Sequence, residues 1–140
     1  RLVRAGYQLV MVTNQDGLGT ESFPEPTFWP VQNMLVNILA SQGIPFKEIC
    51  IDRHFPHEPN DTRKPKLGLV LHYLRDGFDR AASAMVGDRL TDLEFADNLG
   101  IRGLRVGPQG ISWQEVAREL LDAPRRAQAT RRDKARPSSS

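Results

Sequence analysis

The chain has 140 residues, of which 39% are hydrophobic and 26% charged, a composition typical of globular proteins. A chain of this length predicts one domain with a moderate core. It contains no apolar run long enough for a transmembrane helix, and its single cysteine, Cys50, excludes an internal disulfide and a multi-thiolate zinc site. We therefore expect a cytoplasmic setting and no membrane partner.

The formal net charge of +2 arises from the C-terminal end of the chain. Residues 124–140 contain six Arg or Lys residues and one acid, so the rest of the chain carries a net charge of −3. We interpret residues 1–123 as the folded domain and 124–140 as a basic, disordered tail or linker. Because the tail has no aromatic residue, we expect no nucleic-acid partner.

Strand-like and helix-like patterns alternate along the chain. Apolar, β-branched-rich runs predict four buried strands, at 7–12, 47–52, 84–86 and 101–106. Apolar residues at helical spacing predict four helices. The first ends at Gln42, and the others span residues 66–75, 91–99 and 113–121. The alternation predicts the α/β class, with a Rossmann-like parallel sheet and helices on both of its faces.

Polar residues follow three of the predicted strands, at the edge where parallel sheets carry ligands. They are Thr13 and Asn14, then Arg63 and Lys64 before the second helix, and finally Asp88 and Asp92. A hydroxyl and an amide can donate to phosphate oxygens, a lysine supplies positive charge, and carboxylates suit Mg²⁺. The pattern therefore predicts a phosphate cradle of the kind that phosphoryl transfer needs.

Each of these residues alone also has a simpler interpretation. Thr13 could be a turn hydroxyl, and Lys64 a solvent-exposed lysine before a proline. Asp88 and Thr91 could be the turn and capping residues of an ordinary strand-to-helix junction. The occurrence of all three groups in this order is what favours the phosphate site.

Three stretches of the sequence, 12–17, 63–66 and 86–92, resemble the haloacid dehalogenase superfamily of phosphatases. They read Val-Thr-Asn-Gln-Asp-Gly, Arg-Lys-Pro-Lys and Val-Gly-Asp-Arg-Leu-Thr-Asp. Within the superfamily the chain is similar, from Ala5 to about Ala127, to the histidinol-phosphatase half of bifunctional histidine-biosynthesis enzymes. The resemblance implies Mg²⁺-dependent cleavage of L-histidinol phosphate through an aspartyl-phosphate, and fusion to an imidazoleglycerol-phosphate dehydratase domain.

The resemblance also implies roles for the residues that would contact phosphate. Thr13 binds the transferred phosphoryl group, and Asn14 lies beside it. Lys64 neutralises the phosphate and orients the nucleophile. Arg63 is a further phosphate contact.

The resemblance makes Asp88 a Mg²⁺ ligand and Asp92 its supporting carboxylate. The family's first motif, Asp-x-Asp-Gly-Thr, has no counterpart, because no Asp-x-Asp occurs among the 140 residues. Its first aspartate is the nucleophile, so covalent catalysis lacks its first step. We therefore expect an N-terminally truncated fragment that lacks the first, central strand of the sheet and is inactive alone.

Many members of the superfamily carry a zinc loop, Cys-x-His followed by Cys-x-Cys, before the Arg-Lys-Pro stretch. In this chain the corresponding places hold Asp52, Arg53 and His54, then Asn60, Asp61 and Thr62. The side chains that could replace the zinc ligands are His54, His57, Glu58 and Asp61. Structural zinc favours thiolate and imidazole ligands, so we expect a loop packed without zinc.

Two other functions stay open. Sugar-bisphosphate phosphatases and polynucleotide 3′-phosphatases share the Asn-Gln and Arg-Lys-Pro stretches, although the runs 16–19 and 89–92 favour histidinol-phosphatase. The other open function is that of a non-catalytic fragment, which would bind phosphate without turnover.

Overall fold

The computed structural model describes residues 1–122, which fall into two compact units that are taken separately below. The N-terminal unit comprises residues 3–78, and the described part of the C-terminal unit comprises residues 1–2 and 79–122. The predicted tail at 124–140 lies outside the described residues. Within residues 1–122, no helix combines the length and the apolar character that crossing a membrane would require.

The N-terminal unit is a parallel β-α-β arrangement followed by a short helical segment. Its elements are β1 (Leu9–Asn14), α1 (Glu25–Ser41), β2 (Phe46–Asp52), a 3₁₀ turn (Gly68–Val70) and α2 (Leu71–Asp76). β1 and β2 pair in parallel, and the last pair in the register is Asn14 with Asp52. Because the strands are parallel, their polar carboxyl ends lie at the same edge of the sheet.

Helix α1 buries a different face from the one that its apolar pattern predicts. Leu35 and Ile38 repeat at helical spacing, yet they are 46% and 53% exposed. The buried residues of the helix are Phe28 and Gln32. The Gln32 side-chain amide lies 3.3 Å from the sulfur of Met11 on β1, a contact that orients this face of α1 toward the strand.

A polar cluster joins β2 to α2. The Glu48 carboxylate accepts hydrogen bonds from the Tyr73 hydroxyl at 2.6 Å and from the His72 ring at 2.9 Å. These hydrogen bonds from Tyr73 and His72 lower the pKa of Glu48 to about 2. Burial, helped by the neighbouring Glu48 charge, raises the pKa of the Cys50 thiol to about 12, so this cysteine stays protonated and unreactive.

The C-terminal unit contains a second parallel β-α-β arrangement. Its elements are β3 (Ala84–Gly87), α3 (Leu90–Leu99), β4 (Arg102–Arg105) and a helix over residues 113–122, here called α4. β3 and β4 pair in parallel, with Gly87 opposite Arg105. The buried apolar residues of this unit are Phe95, Ala96, Leu99, Leu104, Val106, Val116 and Leu120.

The predicted α/β class with parallel strands is confirmed by these two arrangements. Over residues 1–122 the strands form two sheets of two strands each, β1 with β2 and β3 with β4. None of the described strands joins one pair to the other.

Helix α3 offers a matched pair of leucines for testing the core of the C-terminal unit. Leu99 is 7% exposed, whereas Leu90 is 60% exposed. We expect Leu99→Ala to lower the free energy of unfolding by about 2–5 kcal/mol, because it leaves a cavity in a packed core. We expect Leu90→Ala to change it by no more than about 0.5 kcal/mol. Urea denaturation measures both values, and equal losses for the two variants would contradict this core.

Candidate phosphate and metal site

The end of β1 is joined to a residue 50 positions further along the chain. The Asn14 side-chain oxygen accepts the backbone N–H of Lys64 at 3.0 Å, and its amide nitrogen donates to the Lys64 carbonyl at 3.4 Å. Two hydrogen bonds from one amide fix both the position and the orientation of the Lys64 backbone. The structure therefore brings Asn14 and Lys64 together.

Thr13 precedes Asn14 at the carboxyl end of β1. Its hydroxyl oxygen accepts a hydrogen bond of 2.9 Å from the side-chain amide of Gln15. A hydroxyl can donate while it accepts, so this contact orients the oxygen and still allows the O–H to donate. A phosphate oxygen at this edge of the sheet would need such an O–H donor.

Arg63 is already engaged by an acid of the same unit. Its guanidinium forms an ion pair with Asp16 and donates to the His54 carbonyl at 3.2 Å, and its side chain is 17% exposed. The backbone N–H of Arg63 donates to the Asn60 side-chain oxygen at 2.8 Å. A phosphate contact by Arg63 would thus compete with the ion pair to Asp16.

Asp52, the last residue of β2, organises the loop that leads to Lys64. Its side chain is 1% exposed, and one carboxylate oxygen accepts from the Thr62 hydroxyl at 2.5 Å and from the His54 ring at 2.8 Å. The other oxygen accepts the His54 backbone N–H at 3.1 Å. Burial acts to raise the pKa of Asp52, but the hydrogen bonds from Thr62 and His54 outweigh it and lower the pKa below its ordinary value.

The sequence pattern did not predict this cluster. It identified Asp52 and Thr62 only as residues that stand in place of zinc ligands. The one available signal is an acidic residue at the end of an apolar strand, where a buried carboxylate needs hydrogen-bond donors.

Three of the four side chains considered as zinc ligands make contacts inside the loop itself. His54 is bonded to Asp52, and the Glu58 carboxylate accepts the Phe55 backbone N–H at 2.7 Å. His57 stacks on Phe55 with ring centroids 5.7 Å apart. The Phe55 ring in turn lies against Gly17, where a Cβ atom would come within 2.2 Å of it, so only glycine permits this packing.

The two predicted metal ligands lie in the C-terminal unit. Asp88 follows β3 directly and is exposed, whereas Asp92, in the first turn of α3, is 4% exposed. A carboxylate oxygen of Asp92 accepts the backbone N–H of Arg89 at 3.1 Å. A Cβ atom at Gly87 would lie 2.1 Å from that oxygen, so the close approach of Asp92 to the strand requires glycine there.

The chemistry of these two carboxylates fits part of a Mg²⁺ site. Mg²⁺ takes six oxygen ligands and is usually held by one or two carboxylates, with water and substrate phosphate completing the set. Over residues 1–122, no group of three or more His, Cys, Asp or Glu side chains is arranged to hold a metal ion.

Comparison with known proteins finds a matching family model, similar sequences and similar structures. A family model described as HAD-hydrolase-like matches residues 61–129. The histidine biosynthesis bifunctional protein HisB of Xanthomonas oryzae pv. oryzae strain PXO99A is 50% identical over 96% of this chain. HisB of Xanthomonas axonopodis pv. citri strain 306 is 49% identical over the same share. The chain spans 37% of the length of these relatives.

Two solved structures share the fold. The D,D-heptose 1,7-bisphosphate phosphatase of B. bronchiseptica, solved with magnesium and phosphate, has a TM-score of 0.65 and 30% identity. That alignment covers 75% of this chain and 59% of the phosphatase. A putative HAD-like phosphatase of Mesorhizobium loti has a TM-score of 0.65 and 26% identity, covering 86% of this chain and 67% of its own. The chain is thus a homologue of the haloacid dehalogenase-like hydrolases, with the histidine-biosynthesis protein HisB among its relatives.

Proposed function

We propose that residues 1–123 carry the phosphate- and metal-binding parts of a histidinol-phosphatase of the haloacid dehalogenase type. The observation that carries this proposal is the 50% identity to HisB over 96% of the chain. The substrate would be L-histidinol phosphate, and the products L-histidinol and phosphate. The reaction would belong to histidine biosynthesis in the cytoplasm.

The N-terminal unit would bind the phosphate group. The Thr13 hydroxyl, held by Gln15, donates to a phosphate oxygen. The two hydrogen bonds of Asn14 set the Lys64 backbone, and the Lys64 ammonium neutralises the phosphate charge. Fixed donors of this kind stabilise charge that develops in phosphoryl transfer without having to reorganise.

The C-terminal unit would hold Mg²⁺ through Asp88, with Asp92 in support. When bound, such an ion would supply Lewis-acid chemistry. The hydrogen bond from the Arg89 N–H keeps the Asp92 carboxylate beside Gly87. The nucleophile has no counterpart among the 140 residues, so we assign the covalent step to no residue of this chain.

The HisB relatives are named as bifunctional proteins, and this chain spans 37% of their length. We propose that the phosphatase is fused to an imidazoleglycerol-phosphate dehydratase domain, with residues 124–140 as the connecting linker. A small phosphorylated molecule is then the partner of residues 1–123.

A specific observation favours a second candidate, a sugar-bisphosphate phosphatase. The B. bronchiseptica enzyme whose structure shares this fold is named as a D,D-heptose 1,7-bisphosphate phosphatase, and it is 30% identical to this chain. The higher identity to HisB, 50%, favours histidinol phosphate as the proposed substrate.

Binding and turnover test the proposed function separately. With Mg²⁺ present, we expect calorimetry to show L-histidinol phosphate binding at least about tenfold more tightly than D,D-heptose 1,7-bisphosphate or inorganic phosphate, a difference of about 1.4 kcal/mol. We expect no phosphate release above background from the 140-residue chain, because it has no Asp-x-Asp nucleophile. Preference for the heptose ester would favour the second candidate, and turnover would show that another residue is the nucleophile.

The contact between Asn14 and Lys64 gives a second test. We expect Asn14→Ala to weaken the binding of L-histidinol phosphate by about tenfold, because the Lys64 backbone loses two hydrogen bonds that are each worth about 1 kcal/mol. Asn33→Ala, on the exposed surface of α1, is the matched control and should leave the affinity unchanged. Equal affinities for the two variants, measured by calorimetry, would contradict the role of Asn14.

A third test addresses the metal. We expect Asp88→Asn to weaken Mg²⁺ binding in the presence of phosphate by about tenfold or more, because it removes a charged ligand. Asp97→Asn, an exposed acid on α3, is the control and should bind Mg²⁺ like the unchanged chain. Calorimetric titration with MgCl₂ measures both, and an unchanged affinity for Asp88→Asn would exclude that residue as a ligand.

A further inference from the structure

The N-terminal unit has one buried residue with a charged side chain, and that residue is Asp52. A buried carboxylate is unfavourable unless hydrogen-bond donors surround it. All three donors to the Asp52 carboxylate come from His54 and Thr62, in the loop that follows β2. This carboxylate therefore holds the loop, and the strand core contributes none of these donors.

The donors lie near the two ends of that loop. His54 is two residues after Asp52, whereas Thr62 is ten residues after it and two residues before Lys64. One carboxylate oxygen contacts both the Thr62 hydroxyl and the His54 ring. Because an ionised carboxylate only accepts, the His54 ring carries its proton on Nδ1. Asp52 thus closes residues 53–62 into a loop whose ends meet at the carboxyl end of β2.

A second polar side chain continues the network from Thr62 to Lys64. The Asn60 side-chain oxygen accepts the backbone N–H groups of Thr62 at 3.1 Å and Arg63 at 2.8 Å. Lys64 is then held by Asn14 at the end of β1. Each residue from 62 to 64 consequently has its backbone N–H or its side chain fixed by Asp52, Asn60 or Asn14.

Asp52 is also fixed to β1 through its backbone. Its carbonyl accepts the N–H of Gln15 at 2.8 Å, and in the strand register it pairs with Asn14. The anchor for Thr62 and the anchor for Lys64 are therefore neighbours across two paired strands. We therefore expect the loss of the Asp52 anchor to shift the loop relative to Asn14. Such a shift would move the Lys64 backbone, from which the Lys64 side chain extends.

We propose that Asp52 and Thr62 are positioning residues, whose hydrogen bond holds residues 62–64 so that Lys64 presents its ammonium to a phosphate at the end of β1. This inference rests on the proposed function for its phosphate. Its structural half, the placement of Lys64, is measurable without any ligand.

The decisive variants differ in one hydroxyl. Thr62→Val keeps the size and branching of the side chain and removes the donor to Asp52, whereas Thr62→Ser keeps the donor. The placement of Lys64 is measured by the hydrogen-exchange rates of backbone amides, followed by NMR on the full chain. In Thr62→Val we expect the Arg63 and Lys64 amides to exchange at least about tenfold faster, while the Val12 amide in β1 keeps its rate. In Thr62→Ser we expect all three rates within about twofold of the unchanged chain.

Two exchange results would overturn the proposal. Unchanged rates at Arg63 and Lys64 in Thr62→Val would show that the hydroxyl holds neither residue. An equal increase at Val12 would show that the hydroxyl supports the whole unit and has no particular effect on Lys64.

Phosphate affinity tests whether the placement acts through Lys64. With inorganic phosphate as the probe, we expect Thr62→Val to weaken binding about fivefold and Thr62→Ser to restore it. In a Lys64→Met background, where the ammonium is absent, Thr62→Val should change the affinity by less than about twofold, since two residues that act as one unit are not additive.

An equal fivefold loss in the Lys64→Met background would overturn the proposed link to Lys64. Absence of any phosphate binding by the unchanged chain would overturn the proposed function instead. In that case the exchange rates at Arg63 and Lys64 would still decide whether Thr62 and Asp52 position residues 62–64.

Discussion

The parallel register of β1 and β2 is the constraint on which the candidate phosphate site depends. It pairs Asn14 with Asp52 at the carboxyl ends of the two strands. Asn14 holds the backbone of Lys64, and Asp52 holds Thr62, so two adjacent strand ends fix one loop at two points. A shift of one residue in a strand would turn its side chains to the opposite face and would break both contacts. The position of Lys64 is thus decided by backbone pairing that involves neither Lys64 nor Thr62.

The strands were predictable because each is a short apolar run, but their ends were not. β1 was predicted to end at Val12 and extends to Asn14, because pairing with β2 continues through two polar residues, Thr13 and Asn14, that lie beyond the apolar run. The predicted helix at 66–75 is a 3₁₀ turn at Gly68–Val70 followed by α2 from Leu71. The buried face of α1 was also not predicted, because its tertiary contacts bury residues that the spacing of apolar residues did not indicate.

The candidate site was predictable as a set of residues and not as a set of contacts. Thr13, Asn14 and Lys64 stand out because polar residues rarely follow apolar strands by chance in this order. The ion pair between Arg63 and Asp16 could not be inferred, because it joins positions 47 apart through an irregular loop. Loop hydrogen bonds depend on backbone angles that residue type alone does not fix, and the Asp52 cluster was missed for the same reason.

Two buried carboxylates, that of Asp52 at the end of β2 and that of Asp92 in the first turn of α3, accept similar hydrogen bonds and have different consequences. Asp52 and Asp92 each accept a backbone N–H near the start of the segment that follows a strand, from His54 and from Arg89. An amide in place of Asp52 would present an NH₂ donor toward one of its contacts, because both of its carboxylate oxygens accept hydrogen bonds. The hydrogen bond from Arg89 commits one oxygen of Asp92 to the start of α3, which limits its approach to an ion. In the proposed metal site the exposed carboxylate of Asp88 would therefore be the one with the freedom to approach Mg²⁺, and Asp92 would mainly hold the turn that presents it.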